Sequence, residues 1–219
     1  MSNTSNGLAE KGSKHWMQHF VNTKDVKILN DNIHKEDPSI NGLVWLSPLE
    51  SKNYEELRTG GIPSIKPVDM TFWPHQGPWW DAVASFDDEG IILVEAKAHL
   101  GEIKSRCAAK NSDSIEKIKS ALQNTHKALA PEQVYDEKIW FSSYYQLANR
   151  LAFLYHLSKQ GKNVRLLLLN FVDDPTHIPT RKENWHAHYE KKICTEMLGS
   201  STAPKNVLNI YLDVKDIKR

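Results

Sequence analysis

Cysteine is scarce in this chain of 219 residues: Cys107 and Cys194 are the two, and they lie far apart. That excludes a disulfide framework and a four-thiolate zinc site, and it fits a reducing compartment. Long apolar runs are missing as well. The leucine run that begins at Leu166 stops at Asn170, far short of the roughly 20 residues that a membrane-spanning helix needs. Residues 1–11 are polar and lack an apolar centre, so neither a signal peptide nor a membrane partner is expected, and a cytoplasmic location is. No glycine-rich phosphate loop and no glycine-flanked serine elbow occur, and Cys107 has no histidine at a diagnostic spacing. These absences exclude P-loop nucleotide hydrolysis and the usual serine or cysteine nucleophile chemistry. Charge of one sign is not in excess either. The 28 basic and 27 acidic side chains leave a formal charge of +1, which supplies no global field for nucleic acid or anionic lipid.

What is present is an ordinary globular composition, 40% hydrophobic and 25% charged, without repeats, low-complexity stretches or an interdomain linker. The charge is unevenly spread. Between Asp81 and Glu95 there are five acids and no base, whereas between Lys97 and Lys127 seven bases face three acids. An acidic cluster therefore meets a basic segment at Glu95 and Lys97, although a lysine-rich segment is also what an ordinary solvated helix face contains.

Periodicity and punctuation place the elements. A short helix is expected over residues 13–21. Ser47-Pro48-Leu49-Glu50 reads as a capped helix start, running to about Arg58 and stopping at Gly60-Gly61. Residues 80–86 and 91–97 read as strands joined through Asp88-Glu89-Gly90, with the glycine in the left-handed position. Residues 112–130 are helical up to Pro131. A stronger helix over 142–159 carries Leu147, Leu151 and Leu154 on one stripe and stops at Gly161. Residues 164–172 read as a strand buried on both faces, Asp173-Asp174-Pro175 as a turn, and 207–214 as a last, half-exposed strand. This order predicts an α/β (α+β) single domain with a central mixed β-sheet flanked by helices.

Chemistry concentrates at the second strand. The tripeptide acid-any-Lys occurs eight times, so it carries nothing by itself, but only Glu95-Ala96-Lys97 ends an apolar strand that follows another strand bearing an acid. Alternation along the strand puts Glu95 and Lys97 on one face. With Asp87 opposite Ile91, Asp81 falls opposite Lys97 and diagonal to Glu95 on that same face, and a slip of one residue would move it to the other. Two carboxylates at the end of an apolar strand need a compensating charge. A divalent cation held by carboxylate oxygens, a backbone carbonyl and waters supplies it, and Mg²⁺ suits such a set. A structural ion-pair cluster of Asp81, Glu95 and Lys97 is the competing use of the same residues.

Asp81, thirteen intervening residues and Glu95-Ala96-Lys97, with a helix before and a helix and strand after, resemble the PD-(D/E)xK, or restriction-endonuclease-like, nuclease superfamily. The resemblance spans about residues 47–172 and implies an αβββαβ core inside a nuclease-like domain over 12–219, preceded by a disordered tail over 1–11. It further implies Asp81, Glu95 and the carbonyl of Ala96 as ligands of Mg²⁺, which Mn²⁺ can replace, and Lys97 as the catalytic lysine. Many members add an acid from the preceding helix and a glutamine from the following one, for which Glu56 and Gln146 are the matching positions. Asn149 and Arg150 share the helix face of Gln146. The Pro-Asp dipeptide of the family is absent, because Trp79 and Trp80 separate Pro78 from Asp81.

Other readings compete with these. Asp69 is a rival first acid but lies too far from Glu95 for a short hairpin. His99 falls on the face of Lys97 if the strand continues. Trp79 and Trp80 suit base stacking or core packing, with the core the more frequent use. His186 and His188, with His177 or Cys194, form a weak metal pattern. The function expected is Mg²⁺-dependent hydrolysis of phosphodiester bonds in nucleic acid, with DNA as the favoured substrate. A homodimer is one arrangement that would act on both strands. The alternative is a noncatalytic nucleic-acid-binding or protein-interaction module that keeps the fold.

Overall fold

The computed structural model describes residues 7–75, 77–200 and 202–217. The middle of the sheet shows why the chain folds as it does. Strand β4 (Ala82–Phe86) turns into β5 (Gly90–Lys97), and β6 (Val164–Val172) lies parallel to β5. Ile91, Leu93, Leu166 and Leu168 face one side, while Ile92, Val94, Leu167 and Leu169 face the other. Both faces need cover, and helices provide it. Strand β1 (Val44–Ser47) pairs antiparallel with β4, and β7 (Val207–Asp213) pairs parallel with β6, giving a mixed five-stranded sheet in the order β1-β4-β5-β6-β7. A second, two-stranded ribbon joins β2 (Leu57–Arg58) to β3 (Trp79–Trp80). The expected α+β class with a central mixed sheet is observed.

On one face lie α1 (Gly12–Asn22) and α2 (Val26–Glu36), which bury Trp16, Phe20, Leu29 and Ile33 against the sheet. Phe20 stacks on Phe171 of β6 with ring centres 5.9 Å apart, and the Trp16 indole N–H donates to Asp174 at 2.8 Å, tying the turn after β6 to this helix. On the other face lie α3 (Ser112–Leu129) and α4 (Tyr145–Lys159), followed late in the chain by α5 (Lys182–His188). No helix among the described residues is long and apolar enough to cross a membrane. Of the tail expected to be disordered, residues 1–6 lie outside the described part, and Gly7 and Ala9 are hydrogen-bonded to the side chain of Gln18.

The helix expected over 47–58 is not formed. Ser47 ends β1 opposite Val83, buried, with no capping bond. Only a single turn, Glu50–Lys52, follows, and Asn53 and Tyr54 then take left-handed φ of 52° and 57°. Pairing with β4 takes Ser47, the expected cap residue, into the sheet, so tertiary pairing overrides the local capping signal at that position. The first strand of the sheet and α2 occupy positions that the sequence reading left unassigned. The hairpin register also moves by two residues: Ser85, rather than Asp87, lies opposite Ile91. Asp87 carries the left-handed φ of 47°, and Gly90 joins the strand beneath the ring of Phe86, where a Cβ would stand 2.4 Å from the ring. A shift of two leaves every side chain on its expected face.

Candidate active site

The C-terminal end of β5 delivers the acids. Glu95 is 4% exposed and projects from β5 on the side of α3 and α4, as Leu93 does. Asp81 occupies the bend between β3 and β4; its N–H donates to the carbonyl of Val94 at 3.1 Å and its Oδ2 accepts the N–H of Ala96 at 2.7 Å. In a strand the N–H and C=O of one residue point to the same edge. The carbonyl of Ala96 is therefore directed to the edge where Asp81 sits, beyond the end of β4. Asp81, Glu95 and Lys97 are brought together as expected, with Asp81 level with Glu95 rather than with Lys97.

The cations come from two elements. The Lys97 ammonium donates to Glu95 Oε1. Arg150 of α4, 6% exposed, donates from Nε to Glu95 Oε2 at 2.5 Å and from a terminal nitrogen to the carbonyl of Trp79 at 2.9 Å, and its guanidinium lies 4.7 Å from the centre of the Trp80 ring. Its other terminal nitrogen donates to Asn149 Oδ1 at 3.2 Å. Asn149 and Arg150 are both buried, because α4 is covered by the sheet on one side and by α3 and the 72–80 segment on the other. Trp80 is core and donates to Thr59 Oγ1 at 2.9 Å, while Trp79 is half-buried with the Arg58 guanidinium 4.6 Å from its ring.

The electrostatics are uneven across the two acids. Burial pushes the Asp81 carboxyl up to about 7, reinforced by Glu95 and weakly by Glu56 and opposed by Lys97 and the Ala96 N–H. Asp81 nevertheless keeps partial contact with solvent. Burial acts upward on Glu95 too, but Arg150 and Lys97 outweigh it and hold this carboxyl below its ordinary value. Burial lowers the Lys97 ammonium while Glu95 and Asp81 raise it, and the acids prevail. One carboxylate is saturated with cations and the other has too few.

Glu56 lies outside any helix, in the stretch before β2, with Lys14 at 3.4 Å, yet its charge reaches Asp81. Gln146 is in the first turn of α4, where its backbone N–H donates to Ser105 Oγ at 2.8 Å; among the described residues its side chain makes no hydrogen bond to Asp81, Glu95 or Lys97. His99 caps a short turn and packs edge-on against His177 at 5.0 Å. His186 packs on Tyr211 and His188 on Tyr144, on separate partners. No group of three His, Cys, Asp or Glu suited to a metal occurs among the described residues.

Sequence reasoning missed the polar residues that β6 and the last third of the chain supply. Asn170 pairs in register with Lys97 and is fully buried; it accepts from the Tyr189 hydroxyl at 3.0 Å and donates to Asn209 at 2.8 Å. Tyr189 is near enough to Glu95 for that charge to help burial hold its hydroxyl protonated. The available signal was Asn170 itself, the one polar residue between Leu166 and Val172. No protein-family model, curated protein or solved structure matches this chain.

Proposed function

We propose that the chain is a Mg²⁺-dependent nuclease of the restriction-endonuclease-like kind that hydrolyses phosphodiester bonds, with DNA as the favoured substrate. The observation that carries this reading is the meeting of Asp81, Glu95 and Lys97 at the end of β5, with the Ala96 carbonyl directed to the edge where Asp81 sits. The order of the main elements supports the reading: helices before β1, three antiparallel strands of the main sheet interrupted by the β2–β3 ribbon, two helices and then a parallel strand. Mg²⁺ keeps several waters and needs only one or two carboxylates besides substrate oxygens, so the lack of a three-acid cluster does not conflict with it. The upward push on Asp81 marks a local deficit of positive charge that a cation relieves. Asp81, the Ala96 carbonyl and a Glu95 oxygen would hold the ion, with Glu56 behind them. When bound, the ion activates water and screens charge on the phosphate. Lys97 donates to a phosphate oxygen or to the attacking water, and Arg150 fixes the carboxylate of Glu95 from the buried side.

One observation favours a noncatalytic module that retains the fold: both Glu95 oxygens already carry an ion pair. Cleavage of linear, circular and single-stranded DNA and of RNA, with Mg²⁺ or Mn²⁺ and in chelator, separates the two. The nuclease reading expects Glu95→Ala and Lys97→Ala to lose more than about 100-fold in rate. Equal metal-dependent activity in the wild type and both variants would remove these residues from the chemistry.

A further inference from the structure

Beside the acidic cluster, on the α3 and α4 side of the sheet, opens a cavity of about 580 Å³. Arg58, His75, Lys110, Asn111, Ser114 and Asn149 bring polar groups to its wall, apolar residues such as Trp73 line the rest, and no carboxylate lines it among the described residues. Two cations and no acid around an open cavity are a charge that the protein leaves unmatched. Arg58 sharpens this, because its Nε is buried without a hydrogen-bond partner among the described residues while its guanidinium lies over Trp79. The wall is tied to the cluster: the carbonyl of Trp79 and the side chain of Asn149 are both bonded to Arg150, which holds Glu95.

The chain leading to this cavity adds an independent observation. After β5 and the single turn Leu100–Glu102 it runs as an extended strap along the segment before α4, with Ser105 N–H donating to Ser143 O at 2.9 Å and Cys107 N–H to Phe141 O at 3.0 Å. Ser105, Cys107 and Ala109 turn inward, so Lys104, Arg106 and Lys110 are exposed on the outer side. None of the three has a carboxylate partner among the described residues. Alternate residues of an extended chain stand about 6.6 Å apart, a spacing close to that of successive phosphates along one nucleic-acid strand.

We propose that the cavity seats a phosphate of a nucleic-acid strand between Arg58 and Lys110, and that Arg106 and Lys104 carry the sugar–phosphate backbone of the same strand onward. The proposal deepens the nuclease reading, on which it rests, by assigning the surface that holds the strand beside the acids. Phosphate contacts of this kind position a substrate without reading its sequence.

Fluorescence anisotropy with labelled oligonucleotides, single-stranded and duplex, in chelator across a salt series tests it. Lys104→Ala/Arg106→Ala and Lys110→Ala change exposed side chains only, and Arg58→Met keeps an apolar stem over Trp79. The double variant is expected to bind about tenfold more weakly at about 100 mM salt, with a salt slope shallower by about 1 to 2. Lys35→Ala on α2, on the opposite face of the sheet, should bind as the wild type does. Wild-type affinity and slope in every cavity and strap variant would overturn the track even if Glu95→Ala abolishes cleavage. Loss of binding in those variants with cleavage unaffected by Glu95→Ala would keep the track and remove the catalytic reading. A wild type that binds no oligonucleotide overturns both.

Discussion

Replacing Asp81 with asparagine should make the metal-free protein more stable while removing its activity. The Asp81 carboxyl is raised from 3.8 to about 7 by burial and by Glu95. Between those values the folded chain holds a proton that the unfolded chain has released, so folding stability contributed by this group falls as pH rises from about 4 to about 7 and is flat above. A shift of about three units corresponds to roughly 4 kcal/mol in a dry site, and the partial solvent contact of Asp81 reduces this to about 2 kcal/mol. Asparagine retains an oxygen for the Ala96 N–H and carries no charge to oppose Glu95. Urea unfolding in chelator should therefore find Asp81→Asn about 2 kcal/mol more stable than the wild type at pH 8, equivalent to roughly 6 °C in Tm for a chain of this size. The advantage should shrink toward zero as pH falls toward 4. Added Mg²⁺ should stabilise the wild type at pH 8 and leave Asp81→Asn unchanged, and cleavage by the wild type should rise with pH up to about 7. An asparagine variant equally stable or less stable at pH 8, with the same difference at pH 5, would refute the claim that Asp81 and Glu95 repel each other here.

Glu95→Ala leaves the buried Arg150 and Lys97 without their shared counter-charge, and should cost about 3 kcal/mol in urea unfolding, with Glu95→Gln costing less. Gly77 has φ of +82°, and a Cβ there would stand 2.7 Å from the ring of Phe153 and 3.0 Å from Thr59 Oγ1. Gly77→Ala should accordingly lower stability by about 2 kcal/mol, read as a fall in Tm. Gln146→Ala, which breaks no side-chain bond to the cluster, should keep stability within about 0.5 kcal/mol and slow cleavage less than tenfold. Lys97→Met should slow it more than 100-fold; comparable losses would place Gln146 in the chemistry.

Much of the sheet was legible. Residues 164–172 form a strand over the expected span because continuous apolar character bounded by Gly161 and Asp173 is a property of neighbours in sequence. The hairpin was two residues out, since Asp87 rather than Gly90 supplied the left-handed residue, yet Asp81 still meets the end of β5 because an even shift preserves strand parity. The capping signal at Ser47 failed for the opposite reason. It describes what an isolated segment prefers, and pairing with β4 took the cap residue itself into the sheet.

Sequence by itself determined the mixed α and β content, the strand that ends in Glu95-Ala96-Lys97, and the nearness of Asp81 to Glu95 and Lys97, because alternation and turns act between residues close in the chain. Tertiary structure decided the rest. Arg150 reaches Glu95 from 55 residues away, Asn170 and Tyr189 come from β6 and beyond, and the acid-free cavity needs β2, the strap and two helices at once. Which charge is neutralised and which is left over depends on how layers pack, and no local pattern encodes a distance between layers.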